Sequence, residues 1–242
     1  MSNILEALNW LLTADAWTGP GGLWVRSLEH LAYTLIALGI SAVIALPLGL
    51  AIGHTRKGRG IAIVATGAAR ALPTLGLLTL VALVTGIGLT APMVALVVLA
   101  APSVLAGAYA GVESVNQATV DAARAQGMNG WQVLTRVEIP LGLPLILSGL
   151  RLAALQIIAT ATLAAYVGAG GLGRQLFLGL QTYDYSVMLG ASLVVILLAI
   201  LVDTAFGLTQ RLLRRVPGLA GPGKAPSTGT RSRRVRANMT AN

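Results

Sequence analysis

Residues 120–144 read Val120-Asp-Ala-Ala-Arg-Ala-Gln-Gly-Met-Asn-Gly-Trp-Gln-Val-Leu-Thr-Arg-Val-Glu-Ile-Pro-Leu-Gly-Leu-Pro144, the longest polar interruption between the first and last strongly apolar segments of the chain. Residues 121–126 are strong helix formers with an acid in the first turn. Gly127 stands where a helix ends on a left-handed residue. Asn129 can cap a second short helix over residues 130–137, and Pro140 with Pro144 oppose its uninterrupted continuation. The pattern is two short helices hinged at a glycine, outside a membrane. On these residues alone, the loop 113–144 is either an ordinary amphipathic connector or a docking surface for a partner in the aqueous phase.

The surroundings of that loop are apolar. Of 242 residues, 55% are hydrophobic and only 10% charged, with a mean hydropathy of +0.78. An average soluble domain is about 25% charged. The expected class is therefore an all-α polytopic membrane protein. The chain has no cysteine, which excludes disulfides and thiolate metal sites. His30 and His54 stand apart, so no metal centre is expected. A net charge of +9 would suit nucleic acid, but its placement argues otherwise. Eight of the 17 basic residues lie from Arg211 onward, and three more form Arg56-Lys57-Gly58-Arg59. Clusters of this kind mark the cytoplasmic edges of membrane spans.

At about 20 residues per crossing, the sequence predicts five spans, over residues 28–53, 71–88, 92–111, 145–167 and 186–208. Pro47 implies a kink in the first, a feature membrane helices tolerate. Arg70 and Pro73 interrupt the second apolar region, so residues 61–70 read as a shallow cytoplasmic start. Residues 1–27 hold an apolar run too short to span, with Trp10, Trp17 and Trp24 suited to an interfacial segment on the outer face. Five crossings place the N-terminus outside, the C-terminus inside and the loop 113–144 in the cytoplasm. All of the 17 basic residues except Arg26 and Arg174 then lie on or near the cytoplasmic side. The organisation is an external segment 1–27, a transmembrane domain 28–210 and a basic tail 211–242, Gly/Pro/Ser/Thr/Arg-rich from Pro217 and expected to be disordered.

No catalytic constellation emerges. The carboxylates are scattered, neither histidine accompanies a nucleophile motif, and there is no Walker A sequence to bind ATP. Gly168-x-Gly170-x-x-Gly173 matches the dinucleotide fingerprint literally but follows an apolar helix rather than a strand; a turn and close-packing point fits better. Asp203, late in the last span, is a candidate functional acid or, preferably, the partner of Arg211 or another basic residue. Arg151 reads as snorkelling to the inner interface, and His30 as an interfacial residue. Thr160, Thr162 and Tyr166 are candidates to line a polar path, although threonine hydroxyls also bond their own helix backbone.

The order Asp121-Ala122-Ala123, Gly127, Val137, Ile139, Pro140 resembles the "EAA" loop of permease subunits of ATP-binding cassette importers, with Asp121 keeping the charge of the usual glutamate. Further stretches are similar to the osmoprotectant (glycine betaine, carnitine, choline) branch of these permeases: Glu29-His30-Leu31, Pro47-Leu48-Gly49, residues 71–75, Gly86-Ile87-Gly88, Val137-Glu138-Ile139-Pro140 and residues 159–173. Together they cover residues 28–210. The resemblance implies a MetI-like type I ABC permease fold in a bacterial inner membrane, with the loop docked in a groove of a cytoplasmic ATPase. It also implies a second permease subunit, an extracytoplasmic binding protein, and ATP and Mg²⁺ used by the ATPase, with no cofactor on this chain. A methionine-type permease, or a self-contained channel or carrier, are the alternatives. A carrier would call for intramembrane acids, of which Asp203 alone is thin support.

Overall fold

The computed structural model describes residues 2–214, and among these every regular element is a helix. Helix α1 (Ser2–Leu12) and the single turn α2 (Ala14–Trp17) come first and are too short to cross a bilayer. They fold back on the bundle: Trp10 lies against Gly190, and the Trp17 indole donates to the Leu11 carbonyl at 2.7 Å. The ring of Trp17 also packs at 5.1 Å from that of Trp24.

Four helical stretches are long and apolar enough to span. The first, α3 (Leu23–Thr55), carries Pro47 within it and ends on Arg56 in the left-handed region. Helices α4 (Arg59–Arg70) and α5 (Thr74–Thr85) follow, bent by 86° at the break before Pro73. Pro73 takes the N-cap of α5, where its missing N–H costs nothing. The next span is α6 (Thr90–Glu113). The short helices α7 (Gln117–Ala125) and α8 (Gly130–Val133) lead through a π turn (Leu134–Glu138) into α9 (Ile139–Ala161) and a 3₁₀ turn (Thr162–Val167). Helix α10 (Gly173–Thr182) and the last span α11 (Tyr185–Arg214) complete the described chain. Of the expected basic tail 211–242, residues 211–214 continue α11 and the rest lies outside the described residues.

Two expectations are corrected. Residues 61–70 do not form a shallow approach: α4 runs beside α6, from an Arg59–Glu113 ion pair at 2.6 Å up to Arg70 beside Ser103. The helix starting at Gly130 is also not cut off by Pro140 and Pro144; helical backbone continues from Gly130 to Val167. Pro140 falls at the start of α9, and the wider π turn just before it absorbs the lost backbone donor.

Helices α3, α6 and α9 form the centre. They approach through glycine rather than through interlocking side chains, as membrane helices do where small residues let backbones meet. A Cβ on Gly149 would stand 2.7 Å from the Gly107 Cα, and one on Gly111 would stand 2.8 Å from the Gly142 carbonyl oxygen. On the other side of α6, a Cβ on Gly49 would stand 2.7 Å from the Leu105 carbonyl oxygen, and one on Gly53 2.9 Å from that of Tyr109. Ala100, Val104, Ala153 and Ile157 fill the space above this seam.

Candidate functional site

The loop 113–144 hangs between α6 and α9, so whatever moves it moves the two helices of the glycine seam. Its first helix starts earlier than expected. Asn116 caps α7, accepting from the Ala118 amide at 2.9 Å, which places Asp121 in the second turn rather than the first. The hinge has the expected form. Gly127 has φ of +87°, its amide donates to the Arg124 carbonyl at 2.9 Å, and the Met128 amide reaches back to Ala123 at 3.2 Å. Those two bonds are the Schellman arrangement, which satisfies the last carbonyls of α7. Asn129 then opens α8 with a reciprocal capping box: its side chain accepts from the Gln132 amide, and Gln132 accepts from its amide, both at 2.9 Å.

Folding the two helices about Gly127 creates a small core of Val115, Val120, Ala123 and Val133, with Met128 and Val137 at its edge. Ala123 is thus a packing residue. Asp121, Ala122 and Gly127 lie on the exposed side, while Val137, Ile139 and Pro140 are half-buried where the loop runs into α9. Beside the exposed face stands Trp131, 73% accessible, a large apolar ring without cover among the described residues.

Three polar bridges fasten the loop to the last turn of α3, the basic turn after it and the start of α4. The His54 Nδ1 and the Glu138 carboxylate meet at 2.5 Å, with Glu138 buried. The Arg56 guanidinium donates to the Gln117 side-chain oxygen at 2.5 Å, and the Gln117 amide nitrogen donates to Asp121 at 3.0 Å. Arg59 and Glu113 form the third. Sequence reasoning singles out none of Arg56, Gln117, Glu138 or Trp131 as a site residue. Glu138 leaves one signal, an acid held between the aliphatic positions Val137 and Ile139.

The remaining candidates lie elsewhere. Asp203 pairs with a basic residue as expected, but with Arg151: two parallel bonds of 2.5 and 2.6 Å join α11 to α9. Arg151 therefore bridges two helices. His30 is corrected too. It is fully buried, and its Nε2 donates to the Ile158 carbonyl at 2.9 Å across the α3–α9 contact. Close by, Glu29 accepts from Arg26 and from the Gly171 amide, each at 2.8 Å. The glycines 168–173 form a turn; a Cβ on Gly170 would run into the Glu29 carboxylate, and one on Gly173 into the Thr162 carbonyl oxygen. Thr160 and Thr162 both turn their hydroxyls onto their own helix, donating at 2.7 Å to the Gln156 and Ala159 carbonyls. Tyr166 is 60% exposed, with its ring 5.9 Å from Phe177.

Four apolar spans, an apolar helix pair bent by 86° and a hinged helix pair between two of the spans define a polytopic helical membrane protein. The model of the family "binding-protein-dependent transport system inner membrane component" matches residues 45–215, and the chain belongs to that family. It is 34% identical to the glycine betaine/carnitine/choline transport system permease protein OpuCB of Bacillus subtilis (strain 168) over 194 residues, 80% of this chain and 89% of the relative. It is likewise 34% identical to the carnitine transport permease protein OpuCB of Listeria monocytogenes over 185 residues, 76% of this chain and 85% of the relative. Among solved structures, an inward-facing MetNI methionine ABC transporter chain superimposes with a TM-score of 0.71 at 26% identity, covering 80% of this chain and 97% of that one. Permeases of this family sit in the bacterial plasma membrane, work with an ATPase and a binding protein, and are not themselves enzymes.

Proposed function

We propose that this chain is the membrane-spanning subunit of an importer for osmoprotectants such as glycine betaine, carnitine or choline, and that the loop 113–144 is where its ATPase takes hold. The hinged pair α7–α8 carries the reading. Its outer face offers Asp121, Ala122, Gly127 and the uncovered Trp131, while its inner face is fixed to α6, α9 and the end of α3. A grip on that face transmits movement to three spans at once, which is what coupling nucleotide closure to a change of access requires.

In this reading the loop is cytoplasmic and the N-terminus outside, which the basic asymmetry supports. ATP and Mg²⁺ belong to the ATPase. A second permease, either another copy or a paralogue, closes the path, and a binding protein delivers the solute at the opposite end, where Thr160, Thr162 and Tyr166 would border the entrance.

The test is uptake of labelled glycine betaine in cells lacking this chain, complemented with wild type or with Gly127→Arg. The space beside Gly127 is open, so arginine meets no neighbour there. Its left-handed backbone costs about 1–2 kcal/mol for any residue with a Cβ, and the side chain projects into the docking face. Uptake restored by wild type and abolished by Gly127→Arg at equal membrane abundance supports both substrate class and coupling loop. Restoration by both forms removes the coupling role. No effect of deleting the chain on uptake, in cells without a redundant system, removes the substrate class. Methionine uptake is then measured next, because the MetNI likeness favours that second reading.

A further inference from the structure

Helix α4 ends beside α6 on an exposed arginine that meets no acid among the described residues. Arg59 at its start pairs with Glu113 at the end of α6, and Arg70 at its last turn points a guanidinium nitrogen to the Ser103 hydroxyl at 3.5 Å. At about 1.5 Å per residue, Arg59 to Arg70 climbs roughly 16 Å along α4, and Glu113 to Ser103 climbs roughly 15 Å beside it along α6. The guanidinium therefore sits near half-depth of a 24-residue span. Ser103 in turn donates to the Gln156 side-chain oxygen at 3.2 Å, and the Gln156 amide nitrogen donates to the Leu99 carbonyl at 3.0 Å. A polar chain thus runs from α4 through α6 to α9 in an otherwise apolar layer.

The acids of the chain are engaged or placed elsewhere. Glu29, Glu113 and Asp203 form ion pairs, Glu138 is bonded to His54, Asp121 accepts from Gln117, Asp184 binds the start of α11, and Glu6 and Asp15 belong to the N-terminal segment. A second copy of the chain would bring the same set. Yet Arg70 is exposed in the protomer, and a guanidinium facing lipid at that depth is costly, so such residues face a water-filled path or a partner.

We propose that Arg70, presented at the α4–α5 elbow and steadied by Ser103 and Gln156, receives the carboxylate of a zwitterionic solute during passage. This deepens the osmoprotectant reading and rests on it. Glycine betaine and carnitine carry both a quaternary ammonium and a carboxylate; choline carries the ammonium alone. A guanidinium offers the carboxylate a positive charge, which lysine retains and an amide lacks, together with a fork of donors that lysine reproduces only in part. Arg70 is then a specificity residue between solutes with and without a carboxylate.

The experiment measures uptake of labelled glycine betaine, carnitine and choline by cells expressing wild type, Arg70→Gln or Arg70→Lys at matched membrane abundance. Arg70→Gln is expected to lower glycine betaine and carnitine uptake roughly tenfold or more, the scale of one charge-assisted contact, with choline uptake changed less than about threefold. Equal loss for all three, or no loss for any, overturns the proposal. A wild type that carries only the two carboxylated solutes is decided by lysine: partial rescue by Arg70→Lys over Arg70→Gln supports a charge contact, and no rescue overturns it. A wild type that carries none of the three overturns the osmoprotectant reading itself, and this proposal with it.

Discussion

The two ends of α3 are held by different kinds of bond. At the loop end, His54 and Arg56 reach the side chains of Glu138 and Gln117, and Arg59, just beyond, reaches Glu113. At the other end, Glu29 and His30 reach backbone groups, the Gly171 amide and the Ile158 carbonyl, and Gln175 donates to the Gly21 carbonyl at 2.6 Å. The Arg56–Gln117 and Arg59–Glu113 pairs are exposed; such pairs re-form readily after a shift and are worth little singly, about 0–1 kcal/mol, and only Glu138 is buried. Bonds to backbone beside glycines that leave no room for a Cβ fix one chain path against another. One end is therefore clasped and the other is locked, an asymmetry suited to a lever driven from the loop.

The sharpest way to break that contrast is to overfill the locked end. A Cβ on Gly173 meets the backbone of Thr162, which cannot rotate out of the way. Gly173→Val is expected to cost about 3 kcal/mol or more, from the upper range for overpacking, and to abolish recovery of monodisperse protein in detergent. Folded yield near wild type would show that the 168–173 turn yields and is not locked.

Next in size is the clasp. Glu138 is 5% exposed and its removal strands His54, for an expected loss of about 1–3 kcal/mol. Glu138→Ala is expected to lower the melting temperature modestly and uptake far more, since it unfastens the loop from α3. The exposed Arg56–Gln117 pair is the control: Arg56→Ala should leave the melting temperature within the range of about 0.5 kcal/mol typical of surface changes. A fall in melting temperature from Glu138→Ala with uptake intact would make the bridge a stabiliser only.

Much of this is legible in residues 120–144. The hinge at Gly127 and the cap at Asn129 are local events, and local chemistry determines them. Asn116 escapes because it lies ahead of the helix-forming run that begins at Asp121. The continuous path through Pro140 escapes for a different reason: a π turn is a compromise between the proline and the demand of the packed helix, and sequence shows only the first. The glycine seam leaves a trace in Gly49 and Gly53, and in Gly107 and Gly111, each pair four apart, the spacing that lets membrane helices approach. Which helix each pair meets is a property of the fold. His54 and Glu138 are 84 positions apart, and Arg151 and Asp203 are 52 apart; no periodicity connects them. His30 misleads because a lone polar residue near the end of an apolar run looks interfacial until the turn 168–173 is laid over it.

The smallest expected effect concerns Asp184, on the locked side and outside the spans. Its carboxylate accepts from the Ser186 hydroxyl and from the Ser186 and Val187 amides, so it caps α11. The Ser186 hydroxyl first, then the Val187 amide, hold this carboxyl below the usual carboxylate range, against a smaller opposing effect of burial. A depressed native pKa means that the charged form stabilises the fold. The contribution is complete above the unfolded carboxylate value of about 4 and fades as pH falls through the lower native value. Asparagine supplies the same capping oxygen without titrating, whereas alanine removes the cap at about 1 kcal/mol. Because the side chain is exposed, Asp184→Asn should melt with wild type at pH 7, and the two should part only below about pH 4, with the asparagine form falling less steeply. Thermal unfolding of wild type, Asp184→Asn and Asp184→Ala from pH 7 to pH 3 checks this. Parallel acid limbs for wild type and Asp184→Asn would show that the cap works through hydrogen bonding alone.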